Sequence, residues 1–400
     1  MIEIKEKQKC CGCTACVAVC PKECIEMKED SEGFLYPVVD KDNCVKCDSC
    51  EKVCPILNTS PEIPFEQTAY IVQNKDEKVL QESTSGGAFT AIAKYILKNN
   101  GIVFGVELGN DLVARHIYVE NEIELSRFRN SKYVQSFVGG GTFKQVKSFL
   151  DQGKFVCFSG TPCQIEGLKK YLRKDYEKLI TVDVVCRAVP SPMIFHKYVE
   201  FQEKKISDKI KYVRFRDKHY GYKYSTMNVI TDRNHGNYYQ GVESDPWLRA
   251  FFSNICDRPS CHHCHFRKQY RESDFTIWDC FQVGRFSKEL DNDKGATRVL
   301  VHTDKGREIF DVIKSDFNYI QTTPEAIVAG AKEMKESVTP HEQRQSFFDD
   351  AQCMDGTELF RKYFPYTFRI KTEHFIRLLC FRLGIYSVLK KLYVRVTHKY

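Results

Sequence analysis

A run of four cysteines occurs twice in the first 54 residues, and this repeat constrains the chain more than any other feature. Each run has the spacing Cys-x2-Cys-x2-Cys-x3-Cys and is followed by proline. The eight cysteines are Cys10, Cys13, Cys16, Cys20, Cys44, Cys47, Cys50 and Cys54. This spacing is typical of segments that bind two 4Fe–4S clusters, where three thiolates of a run hold one cluster and the fourth holds the other. The sequence therefore predicts a two-cluster, ferredoxin-type module.

The repeat also assigns the ligands of each cluster. Cluster one is expected to take Cys10, Cys13, Cys16 and Cys54. Cluster two is expected to take Cys44, Cys47, Cys50 and Cys20. Cys11 and Cys24 fall outside the spacing, and we expect neither to be a ligand. Zinc is the alternative metal, because Cys-x2-Cys also suits a tetrahedral zinc ion. Two complete copies with the Cys-Pro ending favour iron–sulfur clusters.

Composition indicates a folded protein, and the distribution of charge argues against nucleic-acid binding. The chain has 400 residues, 42% of them hydrophobic and 28% charged, which is typical of a folded protein of two to three domains. Residues 361–400 hold ten Lys or Arg and one acidic residue, so the other 360 residues carry a net charge of −2. Because the basic charge is confined to one end, we do not expect nucleic-acid binding.

The cellular compartment follows from the cysteines and from the lack of export or membrane signals in the sequence. The first nine residues contain no apolar core of a secretory signal, and no stretch of about 18 uncharged apolar residues predicts a membrane-spanning helix. Nineteen cysteines in such a chain indicate metal binding rather than disulfides. We therefore expect a reducing, cytoplasmic environment.

Beyond residue 58 the pattern changes to alternating strands and helices. Strands are expected at 102–106, 113–119, 155–158, 179–185, 211–215, 226–230, 275–278 and 299–302, and helices at 87–98, 162–174 and 192–204. The predicted fold class is α+β. It comprises a ferredoxin-like domain (1–58), a linker (59–69), a larger α/β domain with a mixed sheet (70–345) and a basic helical tail (346–400). No Gly-x-Gly-x-x-Gly follows a strand, which disfavours a Rossmann dinucleotide site.

The tail combines basic charge with apolar residues at helical spacing. The apolar positions are Phe375, Leu378, Ile385, Leu389, Leu392 and Val396. A basic amphipathic helix is typical of a contact with a membrane surface or an acidic partner. The alternative is a helix that docks on the α/β domain and leaves its basic face in solvent.

Two further features point to a second metal or anion site. Gly160-Thr161-Pro162-Cys163 stands where a strand passes into a helix, and such a helix start favours a phosphate or a thiolate and should lower the pKa of Cys163. An ordinary capped helix is the alternative. Cys256, Cys261 and Cys264 form Cys-x4-Cys-x2-Cys, which suits half of a zinc site, half of an iron–sulfur site, or free structural thiols.

Seven short motifs occur in an order that resembles one known family. They are Ser85-Gly86-Gly87, Ser131-Lys132-Tyr133-Val134-Gln135-Ser136, Phe158-Ser159-Gly160-Thr161-Pro162-Cys163-Gln164, Asp183-Val184-Val185-Cys186, Phe215-Arg216-Asp217-Lys218, Arg258-Pro259-Ser260-Cys261 and Ser273-Asp274-Phe275-Thr276. From about residue 5 to 345 the chain resembles the coenzyme F-420 hydrogenase/dehydrogenase beta subunit family, in its bacterial form with a fused N-terminal ferredoxin domain.

The resemblance implies cofactors beyond the two N-terminal clusters. A third 4Fe–4S cluster is implied at Cys163, Cys186, Cys261 and Cys264, and the larger domain is implied to bind a flavin, FAD or FMN. A flavin would convert between the single electrons of clusters and the paired electrons of a hydride acceptor. Its candidate contacts are Ser85, Gly86, Gly87, Lys132, Tyr133, Thr161, Gln164, Arg216 and Lys218. The remaining cysteines are expected to be bystanders.

The resemblance further implies an iron–sulfur flavoprotein oxidoreductase, of a kind often encoded among polysaccharide-biosynthesis enzymes. Its implied partners are a ferredoxin-like or other redox protein and a small-molecule electron acceptor or donor. Two departures bear on this implication: Cys186-Arg187-Ala188 replaces the family's Cys-His-Gly, and Asp279-Cys280-Phe281-Gln282 replaces Asp-Phe-Trp-Gly. The alternatives are a non-catalytic electron-transfer subunit, whose flavin site has decayed, and a zinc-stabilised adaptor protein.

Overall fold

A computed structural model describes residues 1–233, 238–386 and 389. The strands are β1 (Ile25–Glu29), β2 (Leu35–Val39), β3 (Thr68–Asn74), β4 (Ile102–Leu108), β5 (Ala114–Val119), β6 (Val156–Gly160), β7 (Leu179–Val184), β8 (Ile210–Asp217), β9 (Thr226–Thr231), β10 (Tyr238–Gly241), β11 (Phe275–Asp279), β12 (Thr297–Val301) and β13 (Phe317–Thr322).

The helices of the described residues alternate with these strands. They are α1 (Ala15–Val19), α2 (Ser49–Lys52), α3 (Glu77–Glu82), α4 (Ala88–Lys98), α5 (Thr142–Asp151), α6 (Pro162–Leu172), α7 (Pro192–Ile206), α8 (Pro246–Ser253), α9 (Asp304–Ile313), α10 (Pro324–Val328), α11 (Lys332–Lys335), α12 (Arg344–Cys353), α13 (Gly356–Tyr363) and α14 (Phe368–Arg382). None of those helices is long and apolar enough to cross a membrane.

The ferredoxin-like domain repeats in its backbone the duplication seen in its sequence. Helices α1 and α2 each begin two residues after the second cysteine of a run, and each contains the third. Thr14 and Asp48, which precede the two helices, both adopt the left-handed conformation, with φ of 66° and 56°. An antiparallel hairpin of β1 and β2 lies between the two runs. The two halves therefore present their cysteines through the same local geometry.

The larger domain is built on a mixed sheet of eight strands in the order β13-β3-β12-β11-β7-β6-β4-β5. The central strands β4, β6, β7 and β11 are parallel to one another, whereas the outer pairs are antiparallel. Apolar side chains of the sheet pack on α4 and α9 at one face and on α5 and α6 at the other. The prediction of a mixed sheet is confirmed, and the carboxyl ends of the parallel strands share one edge.

A second sheet joins the two domains into one core. Strands β8, β9 and β10 form an antiparallel sheet whose buried residues pack with α7, α8, α12 and α13. Phe34 and Tyr36 of the ferredoxin-like hairpin are buried in the same cluster. Phe347 and Phe360, on α12 and α13, are also fully buried there. Residues 344–363 therefore belong to the body, although the sequence placed everything after 345 in a tail.

The expected linker is docked rather than free. Strand β3 begins at Thr68, inside the predicted range 59–69. Gln67 is buried and donates a hydrogen bond to the carbonyl of Gln269, 3.1 Å away. Glu62 accepts hydrogen bonds from the backbone of Gln269 and Tyr270. The linker thus lies against the larger domain and is held there by side-chain hydrogen bonds.

Among the residues that the structure describes, two ion pairs join the domains, in different environments. Arg344 on α12 donates two hydrogen bonds to the Glu32 carboxylate, at 2.9 and 2.6 Å, and both side chains are mostly buried. Lys144 on α5 pairs with Glu23 at 2.6 Å, but this pair is exposed. A buried bidentate pair loses more than an exposed one when a partner is removed, because the remaining charge has less access to water.

We predict that Arg344→Met lowers the free energy of unfolding by about 2 kcal/mol, since it leaves the Glu32 carboxylate without two charge-assisted hydrogen bonds. Lys144→Met should leave stability unchanged, because exposed pairs contribute little. The measurement is anaerobic denaturant unfolding followed by tryptophan fluorescence. Equal losses in both variants would contradict the prediction.

Candidate metal centres and cofactor site

The four cysteines assigned to cluster two line one small cavity at the surface of the ferredoxin-like domain. They are Cys20, Cys44, Cys47 and Cys50. Cys24 lies in the same wall, with its sulfur 3.5 Å from that of Cys20. Cys47 is exposed. The structure thus brings the four thiols together on the side of the domain that faces solvent.

The cysteines assigned to cluster one gather on the opposite, buried side. Burial and the neighbouring thiols of Cys10 and Cys54 raise the pKa of Cys16. Cys13 packs directly on α6, because a β-carbon added to Gly167 would lie 2.9 Å from the Cys13 sulfur. Glycine at this position lets the helix backbone approach the cysteine loop. Cluster one would therefore face the larger domain.

A third group of cysteines meets at the carboxyl edge of the large sheet. Cys163 and Cys186 follow the adjacent parallel strands β6 and β7, so they start from neighbouring points on that edge. Cys261 lies in the short helix Pro259–His263, and Cys264 directly follows it. Cys186 interacts electrostatically with Cys163 and Cys264, and Cys261 interacts in the same way with Cys186 and Cys264. The fold therefore collects four cysteines that are distant in sequence.

Two buried ion pairs fix the segment that carries Cys264. Lys268 pairs at 2.9 Å with Glu166 on α6. Arg271 pairs at 2.9 Å with Asp183 on β7. Since α6 carries Cys163 and β7 leads to Cys186, these contacts tie the segment to the elements that position the other thiols.

The thiols of this third group fit an iron–sulfur cluster. Burial raises the pKa of Cys186 to about 12, and burial also raises the pKa of Cys261 and Cys264. Such thiols become thiolates only when a metal supplies compensating charge. A zinc ion needs its sulfurs within about 2.3 Å of one point, whereas a cubane spreads them over four irons.

The start of α6 agrees with the sequence prediction in position but not in its effect on the pKa of Cys163. The predicted helix start is present, but Gln164 caps it by accepting a hydrogen bond from the backbone N–H of Thr161 at 2.9 Å. The Thr161 hydroxyl contacts the Cys163 sulfur at 3.1 Å. The expected lowering of the Cys163 pKa is wrong for this thiol, because a hydrogen bond with Cys11 and burial raise its pKa.

Cys11 occupies a position that sequence reasoning missed. Its buried thiol interacts with the thiols of Cys13, a predicted ligand of cluster one, and of Cys163 in the third group, and the pKa of Cys11 is raised. The repeat gave no sign of this, because Cys11 lies outside the spacing and Cys163 is far along the chain. The Cys11 side chain thus lies between the two groups of thiols.

Arg258 is the second side chain that lies between the two groups of thiols. It is fully buried and donates hydrogen bonds to the carbonyls of Cys10 (2.8 Å) and Leu35 (2.9 Å) and to Gln135 (3.0 Å). Its guanidinium lies 4.3 Å from the centre of the Tyr36 ring. Burial acts to lower the Arg258 pKa, but the facing thiols and phenol outweigh it and raise the pKa.

The predicted Ser85-Gly86-Gly87 contacts lie at the same sheet edge, where β3 leads towards α4. The Thr297 hydroxyl bonds to the Ser85 hydroxyl at 2.8 Å and accepts the Gly86 N–H at 2.7 Å. A β-carbon on Gly86 would lie 2.2 Å from the Val72 carbonyl oxygen, so glycine is required by backbone packing. Gly87 is left-handed, with φ of 76°, and directly precedes α4. As a glycine it supplies no side-chain cap to the first amides of that helix.

The two predicted lysines bind backbone carbonyls. Lys218 donates to the carbonyl oxygens of Leu80, Ser85 and Lys294 at 2.6 to 2.7 Å. Lys132 donates to two carbonyls of the segment before it, at 2.9 and 3.1 Å. Burial lowers the pKa of each lysine to about 7. In this structure both lysines shape the loops around the site rather than offering free donors.

Arg216 and Tyr133 form the polar centre of this region. Arg216 is buried and donates to the Tyr133 hydroxyl at 3.0 Å and to Asp279 at 3.3 Å. Asp279 also accepts the Tyr222 hydroxyl at 2.9 Å. The Nη2 atom of Arg216 is buried and has no hydrogen-bond partner among the described residues. An unpartnered, buried guanidinium nitrogen fits an anionic group such as a flavin phosphate.

The two departures from the family pattern have structural explanations. Arg187 bonds to Asn254 at 3.0 and 3.2 Å and to the carbonyl of Phe252, so it fixes the end of α8. Phe281 lies over the Arg216 guanidinium, 4.9 Å from its carbon to the ring centre, and stacks on Tyr222. Phe281 therefore covers one side of the predicted cofactor site.

A cavity of about 530 Å³ between the two domains was not foreseen from the sequence. Its walls include Gly12 and Thr14 from the loop of cluster one and Val134, Met193 and Phe195 from the larger domain. Its volume lies within the range typical of small-molecule sites. The cavity depends on the docking of the two domains, and no local sequence pattern marks it.

Comparison with known protein families gives one match in the N-terminal part of the chain and one in the larger domain. Residues 9–57 match the family model of the 4Fe–4S dicluster domain. Residues 153–326 match the family model for the C-terminal part of the coenzyme F420 hydrogenase/dehydrogenase beta subunit. No curated protein matches the sequence.

Among solved structures, the chain is similar to a chain of the xenon-derivatised F420-reducing [NiFe] hydrogenase complex from Methanosarcina barkeri. The identity is 17% and the TM-score 0.45, and the match covers 76% of this chain and 94% of that one. The two family matches contain the cysteine repeat and five of the seven motifs of the larger domain. The chain therefore carries a 4Fe–4S dicluster domain, and its residues 153–326 match the C-terminal part of the coenzyme F420 hydrogenase/dehydrogenase beta subunit.

Proposed function

We propose that the protein is an iron–sulfur flavoprotein oxidoreductase that passes electrons between 4Fe–4S clusters and a two-electron substrate. The proposal rests on one observation: cysteines of the third group and residues of the predicted flavin site lie at the same edge of the large sheet. Cys163 and Cys186 follow β6 and β7, Asp279 ends β11, and Thr297 begins β12. These four strands are consecutive in the sheet. With strands about 4.8 Å apart, the thiols of the third group and the Arg216–Asp279 centre are within about 5 to 15 Å.

The clusters would be held by the three groups of cysteines described above. Iron–sulfur clusters supply one-electron transfer, and a flavin supplies the exchange between one and two electrons. The exposed group containing Cys47 is the part of the chain that a ferredoxin-like partner could approach. The group containing Cys13 lies against α6, which carries Cys163. The three groups thus lead from the surface to the sheet edge.

The flavin would be held by residues that the sequence singled out, in two different roles. The start of α4 and the free nitrogen of Arg216 would bind its anionic part. Lys218 would act indirectly, because its three bonds to carbonyls hold the loops that carry Ser85 and Gly295. Tyr133, which stacks on Phe251 at 4.3 Å, would orient the guanidinium.

The small-molecule electron acceptor or donor is proposed to bind in the cavity between the domains. A molecule there would touch the loop that carries Cys11 and Cys13 on one side and apolar side chains such as Met193 on the other. We propose a cytoplasmic protein that makes peripheral contact with the inner membrane. A role in polysaccharide biosynthesis rests on the resemblance to the bacterial members of the family.

The second candidate function is a non-catalytic electron-transfer subunit. It is favoured by Phe281, which covers Arg216, and by Lys218, whose hydrogen bonds are made within the protein. Flavin extracted from anaerobically purified protein separates the two functions: a stoichiometric flavin supports the oxidoreductase, and clusters without flavin support the electron-transfer subunit.

The ligands of cluster two can be tested with a pair of neighbouring cysteines. We predict that Cys47→Ser lowers the iron content by about four atoms per chain, one cubane's worth. Cys24→Ser should keep the full content, although Cys24 lines the same cavity. The measurement is iron and sulfide analysis of anaerobically purified protein. Unchanged iron in Cys47→Ser would refute the assignment.

The third cluster can be tested in the full chain in the same way. Wild-type protein is expected to contain about twelve irons, four for each of three clusters. Cys261→Ser should remove about four, whereas Cys256→Ser, a buried cysteine of the same segment, should remove none. A wild-type content of about eight irons would show that the third cluster is absent, and bound zinc would favour the zinc alternative.

The flavin site can be tested at Arg216. We predict that Arg216→Met lowers flavin affinity by about tenfold or more, because a charge-assisted hydrogen bond to the cofactor is lost. Arg285→Met, an exposed arginine on the segment that follows Phe281, should leave flavin content unchanged. Iron content checks that each variant is folded. Normal flavin binding by Arg216→Met would place the flavin elsewhere.

A further inference from the structure

Helix α14 exposes an apolar face to solvent. Phe368, Phe375, Ile376 and Leu379 on the helix, and Leu383 directly after it, are 44% to 84% exposed. Their separations of seven, one, three and four residues place them on one side of a helix. The predicted helix extended to Val396, and its part beyond residue 386, apart from residue 389, lies outside the described residues.

The opposite face of α14 holds the helix on the body through polar contacts. His374 is buried and lies 2.8 Å from the Glu243 carboxylate. Arg377 lies 3.6 Å from the other oxygen of Glu243. Phe381 packs on Tyr220, with ring centres 5.3 Å apart. A surface helix of a soluble protein normally turns its apolar side inward. In α14 the opposite holds, because the face that carries His374 and Arg377 contacts the body and the apolar face points to solvent.

Basic side chains flank the exposed apolar face. Arg369 and Lys371 are exposed beside Phe368 and Phe375, and Arg382 is exposed beside Leu383. Residues 361–400 as a whole hold ten basic residues and one acidic residue. An apolar stripe bordered by Lys and Arg is the pattern of a helix that lies in the interface of an anionic bilayer. An acidic protein partner would satisfy the charges but would not account for the five exposed apolar side chains.

We propose that α14 is a preformed membrane-surface helix that lays this apolar face on an anionic lipid bilayer. The proposal gives residues to the peripheral membrane contact proposed above and is independent of the redox chemistry. The His374–Glu243 and Arg377–Glu243 contacts set the orientation of the helix, so the ferredoxin-like and larger domains stay in water when it binds. The helix need not unfold or detach from the body to expose its apolar side.

The test is co-sedimentation of the full-length holoprotein with vesicles. Vesicles of phosphatidylcholine containing phosphatidylglycerol are compared with vesicles of phosphatidylcholine alone. We expect binding to the anionic vesicles that weakens as salt is raised. The double variant Phe375→Ser/Leu379→Ser should bind at least about tenfold more weakly, since two large apolar side chains no longer enter the bilayer.

A control variant distinguishes binding through α14 from non-specific hydrophobic adsorption to the vesicles. Ile123→Ser removes the most exposed large apolar side chain of the described residues, 89% exposed and far from α14 in sequence, and should not alter binding. Equal binding to both kinds of vesicle, no binding to either, or wild-type binding by the double variant would overturn the proposal. Iron and flavin contents of the same preparations report separately on the proposed redox function.

Discussion

The buried guanidinium of Arg258 is the interaction on which the arrangement of the two domains depends. Arg258 lies three residues before Cys261, in the segment that carries part of the third group of cysteines. Its side chain donates a hydrogen bond to the carbonyl of Cys10, which belongs to the loop of cluster one. It donates hydrogen bonds to three oxygens and, at 3.7 Å, to the Cys10 sulfur, and the groups that raise its pKa are the Tyr36 phenol and thiols of both sites. A buried cation is stable only beside negative charge. Ionised thiols beside Arg258 would supply that charge, which supports the proposal that both groups of cysteines bind metal clusters.

The parts of the structure that could be predicted from the sequence are those with local signals. The cysteine repeat predicted the duplicated backbone of the first domain, because the spacing of thiols around a cubane leaves few backbone paths. The central strands were predicted because buried parallel strands are nearly uniform in apolar character. Strand β13 was missed since it is an edge strand with mostly exposed, polar residues. Residues 346–363 were assigned to the tail, whereas Phe347 and Phe360 fill the core.

The candidate site shows where such reasoning stops. The family's order of motifs named Ser85, Arg216 and Lys218, and the structure does bring them to one sheet edge. Sequence could not show that Lys218 is engaged by three carbonyls, because those carbonyls come from three separate loops. It also treated Cys11 as a bystander, although Cys11 joins Cys13 to Cys163. Contacts between distant segments depend on the packing of the domains, which no local pattern encodes.

The reach of Arg258 across the domain boundary has a consequence for how such a protein can evolve. A ferredoxin domain encoded by itself can be exchanged between proteins, because its clusters need only its own cysteines. Here the donors of Arg258 are satisfied by the backbone of Cys10 and Leu35, and Phe34 and Tyr36 fill a core that belongs to the larger domain. A substitute module that lacked this matching surface would leave a buried cation with unpaired donors. A change at this surface in one domain therefore requires a matching change in the other, so the two domains constrain each other's sequence.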